Sequence, residues 1–345
     1  METIDIGGLP LPASRIGLGT WAIGGWMWGG SNAWEAVRTI QTAVDQGINL
    51  IDTAPVYGFG RSEELVGRAL QTGGRRAHTI IATKVGVEWI DGQIYRNASP
   101  QRIRQEVEDS LRRLRTDYID LYQVHWPDPS VPIEETATAM GKLLMEGKIR
   151  AIGVSNYNAE QLARFQMVAP VHTVQPPYNL FERAAERSIM AFAESQAMTI
   201  LAYGSLCRGL LTGAINSATS FPADDLRTLD PKFQHPRRGQ YLAAVGELEE
   251  LAKSRYGKSV LALAIRWVLD RGSTIALWGA RHPQQLAPVR DVLGWHIDRQ
   301  TMDRIDQILT ETIRDPVGPE FMAPTQVPEV RSGVGKTQPQ AAAAM

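Results

Sequence analysis

Short β-rich runs alternate with helical stretches eight times along this chain, and few folds accept that pattern. The candidate strands are Arg15–Thr20, Asn49–Thr53, Thr79–Val85, Tyr118–His125, Ile149–Ser155, Thr173–Gln175, Thr199–Tyr203 and Thr274–Leu277. Between them lie helical stretches such as Asn32–Gln46, Ser62–Leu70, Pro100–Leu114, Ile133–Glu146, Ala159–Val168 and Ala184–Gln196. Apolar residues recur in them at helical spacing, as at Ile103, Val107, Leu111 and Leu114. Gly47 and Gly147 fall where helices are expected to end. Eight such units in 345 residues predict a (β/α)8 barrel (a TIM barrel), an α/β fold whose chemistry sits at the C-terminal ends of its strands. The rival is a doubly wound sheet. It calls for a Gly-rich phosphate turn after the first strand, and "RIGLGTWAIGG" matches that turn poorly.

The remaining segments elaborate one unit. Met1–Pro12 ("TIDIGGLPL") reads as an N-terminal β-hairpin able to plug the barrel bottom, and Asp298–Thr312 as an extra C-terminal helix. Cys207–Gln240 shows no periodicity, and loops of that length commonly form lids or binding segments. The expected organisation is a single barrel domain over 1–330 and a disordered Gly-, Gln- and Ala-rich tail over 331–345.

Charge and cysteine content narrow the class. With 36 basic and 37 acidic residues there is no basic excess to favour nucleic acid or an anionic membrane surface. Cys207 is the only cysteine, which fits a reducing, cytoplasmic setting. No basic start followed by an apolar run suggests a leader, and no apolar stretch of about 18 residues suggests a membrane span. The six histidines are scattered without ligand spacing, so no metal is expected.

Four ionisable residues collect on neighbouring strand ends. Asp52 ends the second strand and Tyr57 lies on the loop beyond it. Lys84 ends the third strand ("TIIATKVG"), and His125 ends the fourth ("YIDLYQVHW"). Taken singly, each has an ordinary structural explanation: a turn former, a packed surface ring, a lysine reaching solvent, a satisfied core histidine. Together they suggest a division of labour. A buried lysine needs an anion, which Asp52 supplies. The Lys84 ammonium would in turn lower the Tyr57 phenol toward a useful range. A phenol so tuned can protonate a carbonyl oxygen as hydride arrives, or take a proton from an alcohol in reverse, with His125 orienting the same oxygen.

In "NLIDTAPVYG", "ATKVG", "DLYQVHW", "GVSNYN", "VQPPYNLFER" and "AYGSLCRGLLTG", in that order, the chain resembles the aldo-keto reductase superfamily over roughly Ile4 to Thr312. "HWPDPSVPIEET" and "QPPYNLFER" resemble its bacterial branch of glycerol dehydrogenases, also described as glyceraldehyde reductases. The resemblance implies the barrel, an NAD(P)(H) cofactor, with NADP(H) expected over NAD(H) on account of Arg281, and a catalytic tetrad of Asp52, Tyr57, Lys84 and His125 with Tyr57 as the acid. It implies cofactor contacts at Thr20 and Trp21, and at Ser155, Asn156 and Gln175 around the nicotinamide carboxamide. Tyr203 would stack on the nicotinamide, and Gly204, Ser205, Leu206, Arg208 and Gly209 would line the pyrophosphate. Gly279, Ala280, Arg281 and Gln285 would stand at the start of the last helix, where Arg281 would meet a 2′-phosphate. Gln285 occupies a position where many relatives carry arginine, and Trp278 stands where a proline is expected.

Trp21, Trp89 and Trp126, on loops beside the tetrad, are the expected substrate walls, with Trp26 and Trp28 nearby; Trp267, in "LALAIRWVL", is expected in the core. The expected partner is a small carbonyl or alcohol, such as glyceraldehyde or glycerol. The protein is expected to be a monomer or weak oligomer. Two other functions use the same barrel: a Schiff-base aldolase acting through Lys84, and a non-catalytic NADPH-sensing subunit.

Overall fold

The computed structural model describes residues 1–326; the expected disordered tail lies outside the described residues. Eight parallel strands close into a barrel: β1 (Ile16–Gly19), β2 (Leu50–Asp52), β3 (Ile80–Val85), β4 (Ile119–Val124), β5 (Ile149–Ser155), β6 (Thr173–Gln175), β7 (Thr199–Ala202) and β8 (Thr274–Gly279). Each pairs with its sequence neighbours, and β8 pairs back onto β1. All eight expected strands are present, so the doubly wound alternative is excluded. Trp278 pairs with Leu18 in the β8–β1 ladder and is buried at 1 % exposure. A proline there would lack the N–H that a ladder position can donate.

Residue parity divides the core in two. Leu50, Ile80, Ala82, Leu121, Ala151, Leu201, Ile275 and Leu277 pack with Ile6 and Ala13 in one cluster inside the barrel. The residues between them, among them Ile51, Ile81, Tyr122, Val124, Ile152 and Val154, pack with the helices. This is the alternation that a strand imposes on successive side chains. Carried one step further up each strand, the inward row becomes polar: Asp52 follows Leu50, Lys84 follows Ala82, and Gln123 follows Leu121.

The surrounding helices include α1 (Ala33–Asp45), α2 (Arg61–Leu70), α3 (Pro100–Leu114), α4 (Ile133–Met145), α5 (Ala159–Gln166), α6 (Ile189–Ser195), α7 (Arg237–Tyr256), α8 (Val260–Leu269) and α9 (Arg299–Thr312). Their starts are written in the sequence. Asn32, Ser99, Asn158, Ser259 and Asp298 accept hydrogen bonds from free backbone N–H groups of the first turns. Trp267 is fully buried in α8, as expected.

Three segments differ from the sequence reading. The N-terminal hairpin pairs Thr3–Ile4 with Ala13–Ser14, so it reaches past Pro12, and Leu9 and Leu11 pack on the inner cluster at its base. The stretch 207–240 is ordered by three 3-10 turns, and α7 already begins at Arg237. The segment after β8 is a 3-10 helix, Pro283–Val292, with Pro288 inside it.

Two additions cover the C-terminal end of the barrel. After β3 the chain forms a hairpin, Val87–Ile90 with Gln93–Arg96, and Thr325–Gln326 adds a parallel strand to it. The backbone N–H of Leu226 donates to the Met27 carbonyl at 2.9 Å, which ties the loop after β7 to the loop after β1.

A third contact sets the Tyr57 loop. Gly24 ends a one-turn helix, Trp21–Gly24, and its Cα faces the Tyr57 backbone so closely that a Cβ there would lie 2.6 Å from Tyr57 C and O. Gly58, at φ +67°, faces Gly24 in return. Gly24→Ala should therefore push the two loops apart and cost about 1–3 kcal/mol, the usual range for overpacking. Chemical denaturation and the near-ultraviolet circular dichroism of the surrounding aromatic rings would measure it. An unchanged midpoint and spectrum would contradict the close approach.

Candidate active site

Lys84, with no exposed side-chain surface, organises the strand ends. Its Nζ donates to Asp52 Oδ2 at 2.7 Å, to the Thr53 carbonyl at 3.0 Å and to the Tyr57 hydroxyl at 3.2 Å. The other carboxylate oxygen, Asp52 Oδ1, accepts from Gln175 Nε2 at 2.8 Å and from Gln123 Nε2 at 3.2 Å. The Tyr57 ring stands edge-on to His125, with centroids 5.8 Å apart, and is stacked by Trp21 at 5.9 Å. The structure thus brings Asp52, Tyr57, Lys84 and His125 together.

Burial dominates the electrostatics. Burial, reinforced by the Asp52 charge, pushes the Tyr57 phenol well above its ordinary value. Burial depresses the Lys84 ammonium, and Asp52 opposes that depression by charge and by hydrogen bond. Burial and the Lys84 charge hold the His125 imidazole well below its usual range, so it stands neutral, with one ring nitrogen donating and the other accepting. The expectation that the Tyr57 phenol would lie below its ordinary value is therefore corrected. Desolvation of the phenolate and the Asp52 charge set the direction, and the phenol stays protonated through neutral pH.

Two adjoining cavities meet at this group and share Trp21, Tyr57, Tyr203 and Met322. The first, a cleft of about 210 Å³, is lined by Thr20, Trp21, Gly204, Ser205, Leu206, Arg208, Gly209, Gly279, Ala280, Arg281 and Gln285, together with Trp28 and Arg227. The second, about 310 Å³, is mainly apolar, with Trp26, Val56, Val87, Ile94, Trp126, Leu226 and Phe321 in its walls. Ser155, Asn156, Gln175 and His125 also border it. Those polar groups are already linked. The Tyr203 hydroxyl donates to Asn156 Oδ1 at 3.0 Å, Asn156 Nδ2 donates to Ser155 Oγ at 3.1 Å, and Ser155 Oγ donates to the Gln175 carbonyl at 2.8 Å.

Several expected residues are placed differently from the sequence reading. Arg208 borders the cleft, but its guanidinium is committed to a buried ion network. It pairs with Glu182 and, at 2.5 Å, with Asp230, and Lys232 joins Glu182 at 2.8 Å. Trp89 is not among the residues lining either cavity. It shares a face of its hairpin strand with Val87 but lies two residues further along, where it packs on Phe59 at 5.6 Å rather than on the cavity. Arg281 Nη1 donates to the carbonyls of Trp28 at 2.5 Å and Gly30 at 3.4 Å. Gln285 Oε1 accepts from the backbone N–H groups of Arg281 at 2.7 Å and His282 at 3.1 Å. The Gln285 side chain thus caps the turn at which an anion would otherwise be received.

The sequence reading missed Gln123, Arg227 and the segment Phe321–Thr325, which walls the second cavity. Gln123 was recoverable by parity, since it lies two residues beyond inward-facing Leu121. Arg227 and Phe321–Thr325 carry no local pattern. They reach the site through long-range packing, such as the hydrogen bond from Arg96 Nε to the Pro324 carbonyl at 3.0 Å.

Among the described residues no helix is long and apolar enough to cross a membrane, and no group of three or more His, Cys, Asp or Glu side chains is arranged to hold a metal ion. Comparison with known proteins agrees with the geometry. The Aldo/keto reductase family profile matches residues 15–310. The chain is 57% identical over 331 residues to the aldo-keto reductase YhdN of Bacillus subtilis (strain 168), covering 96% of this chain and 100% of that one. It is 36% identical over 302 residues to the NADH-specific methylglyoxal reductase of Escherichia coli (strain K12), covering 83% and 91%. It superposes on the glycerol dehydrogenase of Gluconobacter oxydans with a TM-score of 0.85 at 55% identity, covering 93% and 99%. With the profile over most of its length and relatives this similar, the chain belongs to the aldo/keto reductase family, oxidoreductases that act on carbonyl and alcohol groups with a nicotinamide cofactor.

Proposed function

We propose that this protein is an NADP(H)-dependent reductase of small aldehydes and ketones, glyceraldehyde among them, working reversibly on the corresponding alcohols. The observation that carries this reading is the Asp52–Lys84–Tyr57 hydrogen-bonded chain, which ends where the two cavities meet. The cleft suits a dinucleotide. Its wall includes the Trp28 indole N–H, buried and without a partner, and left-handed backbone at Arg208 and Gly209. Thr20, Trp21, Gly204–Gly209 and Gly279–Arg281 would hold the cofactor, with Ser155, Asn156 and Gln175 at its carboxamide and Tyr203 against its ring. A bound reduced nicotinamide supplies the hydride.

The residues of the chain do the rest. The Tyr57 hydroxyl gives its proton to the carbonyl oxygen, and the phenolate left behind is stabilised by the Lys84 N–H at 3.2 Å. Neutral His125 donates a hydrogen bond to the same oxygen and fixes the substrate's orientation. Trp21, stacked on Tyr57, excludes water from the proton donor. An aldolase reading fits poorly: Lys84 Nζ is fully buried and already serves three oxygen acceptors, which leaves no approach for a substrate carbonyl.

Tyr57→Phe should remove nearly all turnover while NADPH still quenches the cleft tryptophans. A variant retaining more than about a tenth of wild-type activity would rule out Tyr57 as the proton donor.

Arg281 is the basis for the cofactor preference. A charge-assisted contact with a 2′-phosphate is worth about 1.5–3 kcal/mol, hence about ten- to hundredfold in affinity. Because Arg281 is shared with two backbone carbonyls and Gln285 adds no charge, the lower end is expected. The measurement is the pair of dissociation constants for NADPH and NADH in wild type and Arg281→Ala. Equal wild-type values would remove the preference, and an unchanged ratio in the variant would clear Arg281.

The raised phenol sets the pH dependence. An acid whose folded value lies above its ordinary one stays protonated through neutrality and loses its proton only in alkali. Reduction, which uses the protonated form, should be fast at neutral pH. Alcohol oxidation, which uses the deprotonated form, should rise toward alkaline pH. Profiles in both directions under conditions where chemistry limits the rate would test this, and a shared optimum would exclude a single acid–base group.

A further inference from the structure

Among the polar side chains of the inward row, Gln123 touches the proton-transfer group, yet the reaction above assigns it nothing. Gln123 is fully buried on β4, opposite Lys84 on β3 and Gly153 on β5. Its Nε2 donates to Asp52 Oδ1 at 3.2 Å, and its Oε1 accepts from Gln175 Nε2 at 3.2 Å. Space has been left for it. A Cβ on Gly153 would meet Gln123 Cγ at 2.8 Å and would also run into the Thr173 hydroxyl. We infer that Gln123 is a positioning residue of the proton-transfer group: it clamps Asp52 and Gln175 together so that the other carboxylate oxygen faces Lys84. This rests on the reading of Tyr57 as proton donor.

Asp52 Oδ1 takes two amide donors, from β4 and β6, which leaves Oδ2 for the ammonium. Without Gln123 the carboxylate keeps one amide donor and gains freedom to rotate away from Lys84. Gln175 would lose one of its two acceptors, and the link from the cofactor side to the proton donor would rest on its bond to Asp52 alone. The charged and titratable groups facing this pair are Asp52 from β2, Lys84 from β3, Tyr57 and neutral His125 from the loops, and Glu63 of α2, whose charge acts on Lys84. Among them only Lys84 balances Asp52, so the direction of its approach to the carboxylate governs how easily the Tyr57–Lys84 unit gives up a proton.

The test uses full-length enzyme with two variants. Gln123→Met keeps the length of the side chain and removes its polar atoms. It should bind NADPH as wild type does, by tryptophan quenching, and oxidise alcohol about tenfold more slowly at neutral pH. The rising limb of its oxidation profile should move to higher pH by about one unit. Gln123→Glu places a carboxyl against Asp52. Relative to wild type at each pH, its reductase activity should be depressed at neutrality and recover in acid, where the introduced carboxyl regains a proton to donate. Wild-type profiles for Gln123→Met in both directions would overturn the inference, as would failure of Gln123→Glu to recover in acid. If Gln123→Met loses NADPH binding through misfolding, acid recovery of Gln123→Glu decides the matter alone. Tyr57→Phe run beside them separates the two readings. If it stays active, the proton-donor assignment falls. If it is inactive while the Gln123 variants behave as wild type, only the role of Gln123 falls.

Discussion

A lysine without solvent-exposed surface can hold its charge only against an anion, and the upper half of this barrel is built around that requirement. Lys84 loses the water that would stabilise an ammonium, and Asp52 replaces it from the neighbouring strand. Because both side chains are inward residues of adjacent parallel strands, the register that closes the barrel also sets their distance. Tyr57 then needs only its loop to be pressed into place, which the Gly24–Gly58 backbone contact does. Chemistry and fold therefore share one constraint: a shift of β2 against β3 by one residue would turn Asp52 outward and leave a bare buried cation.

The first cavity rests on a second buried charge cluster, and it behaves differently. Arg208, Lys232, Glu182 and Asp230 balance one another beneath the cleft. Lys232 Nζ also donates to the Gly318 carbonyl at 3.2 Å, so the same cluster anchors the segment that leads to Phe321 and Met322. Arg208 stands at the cleft, as expected, but its guanidinium is spent within this cluster. Two carboxylates far from it in sequence claim the guanidinium.

That contrast marks how much could be read from the sequence. Strand number, barrel closure, helix caps and the convergence of Asp52, Tyr57, Lys84 and His125 were legible because each follows from local patterns: period, turn chemistry and strand ends. Gln123 was legible in principle, since inward parity runs from Leu121 to it, but a single amide in an apolar run gives no chemical signal. Trp89 shows the opposite failure. Its proximity in sequence to Lys84 suggested a pocket wall, yet the pocket is lined by Val87 from the same strand and Trp89 packs on Phe59. The raised Tyr57 phenol and the wall at Phe321–Thr325 depend on burial and on contacts between distant segments, which no local pattern encodes.

The strand Thr325–Gln326, seated on the hairpin after β3, has a consequence for the order in which the molecule is completed. As the chain is synthesised from its N-terminus, all eight barrel strands and the tetrad are made before Phe321 and Met322. One side of the second cavity is walled by Phe321, Met322 and Pro324, held there by the pairing of Thr325 with Tyr95 and by the bond from Arg96 to the Pro324 carbonyl. That wall is therefore synthesised after the residues it faces, and it closes over them from the far end of the described chain.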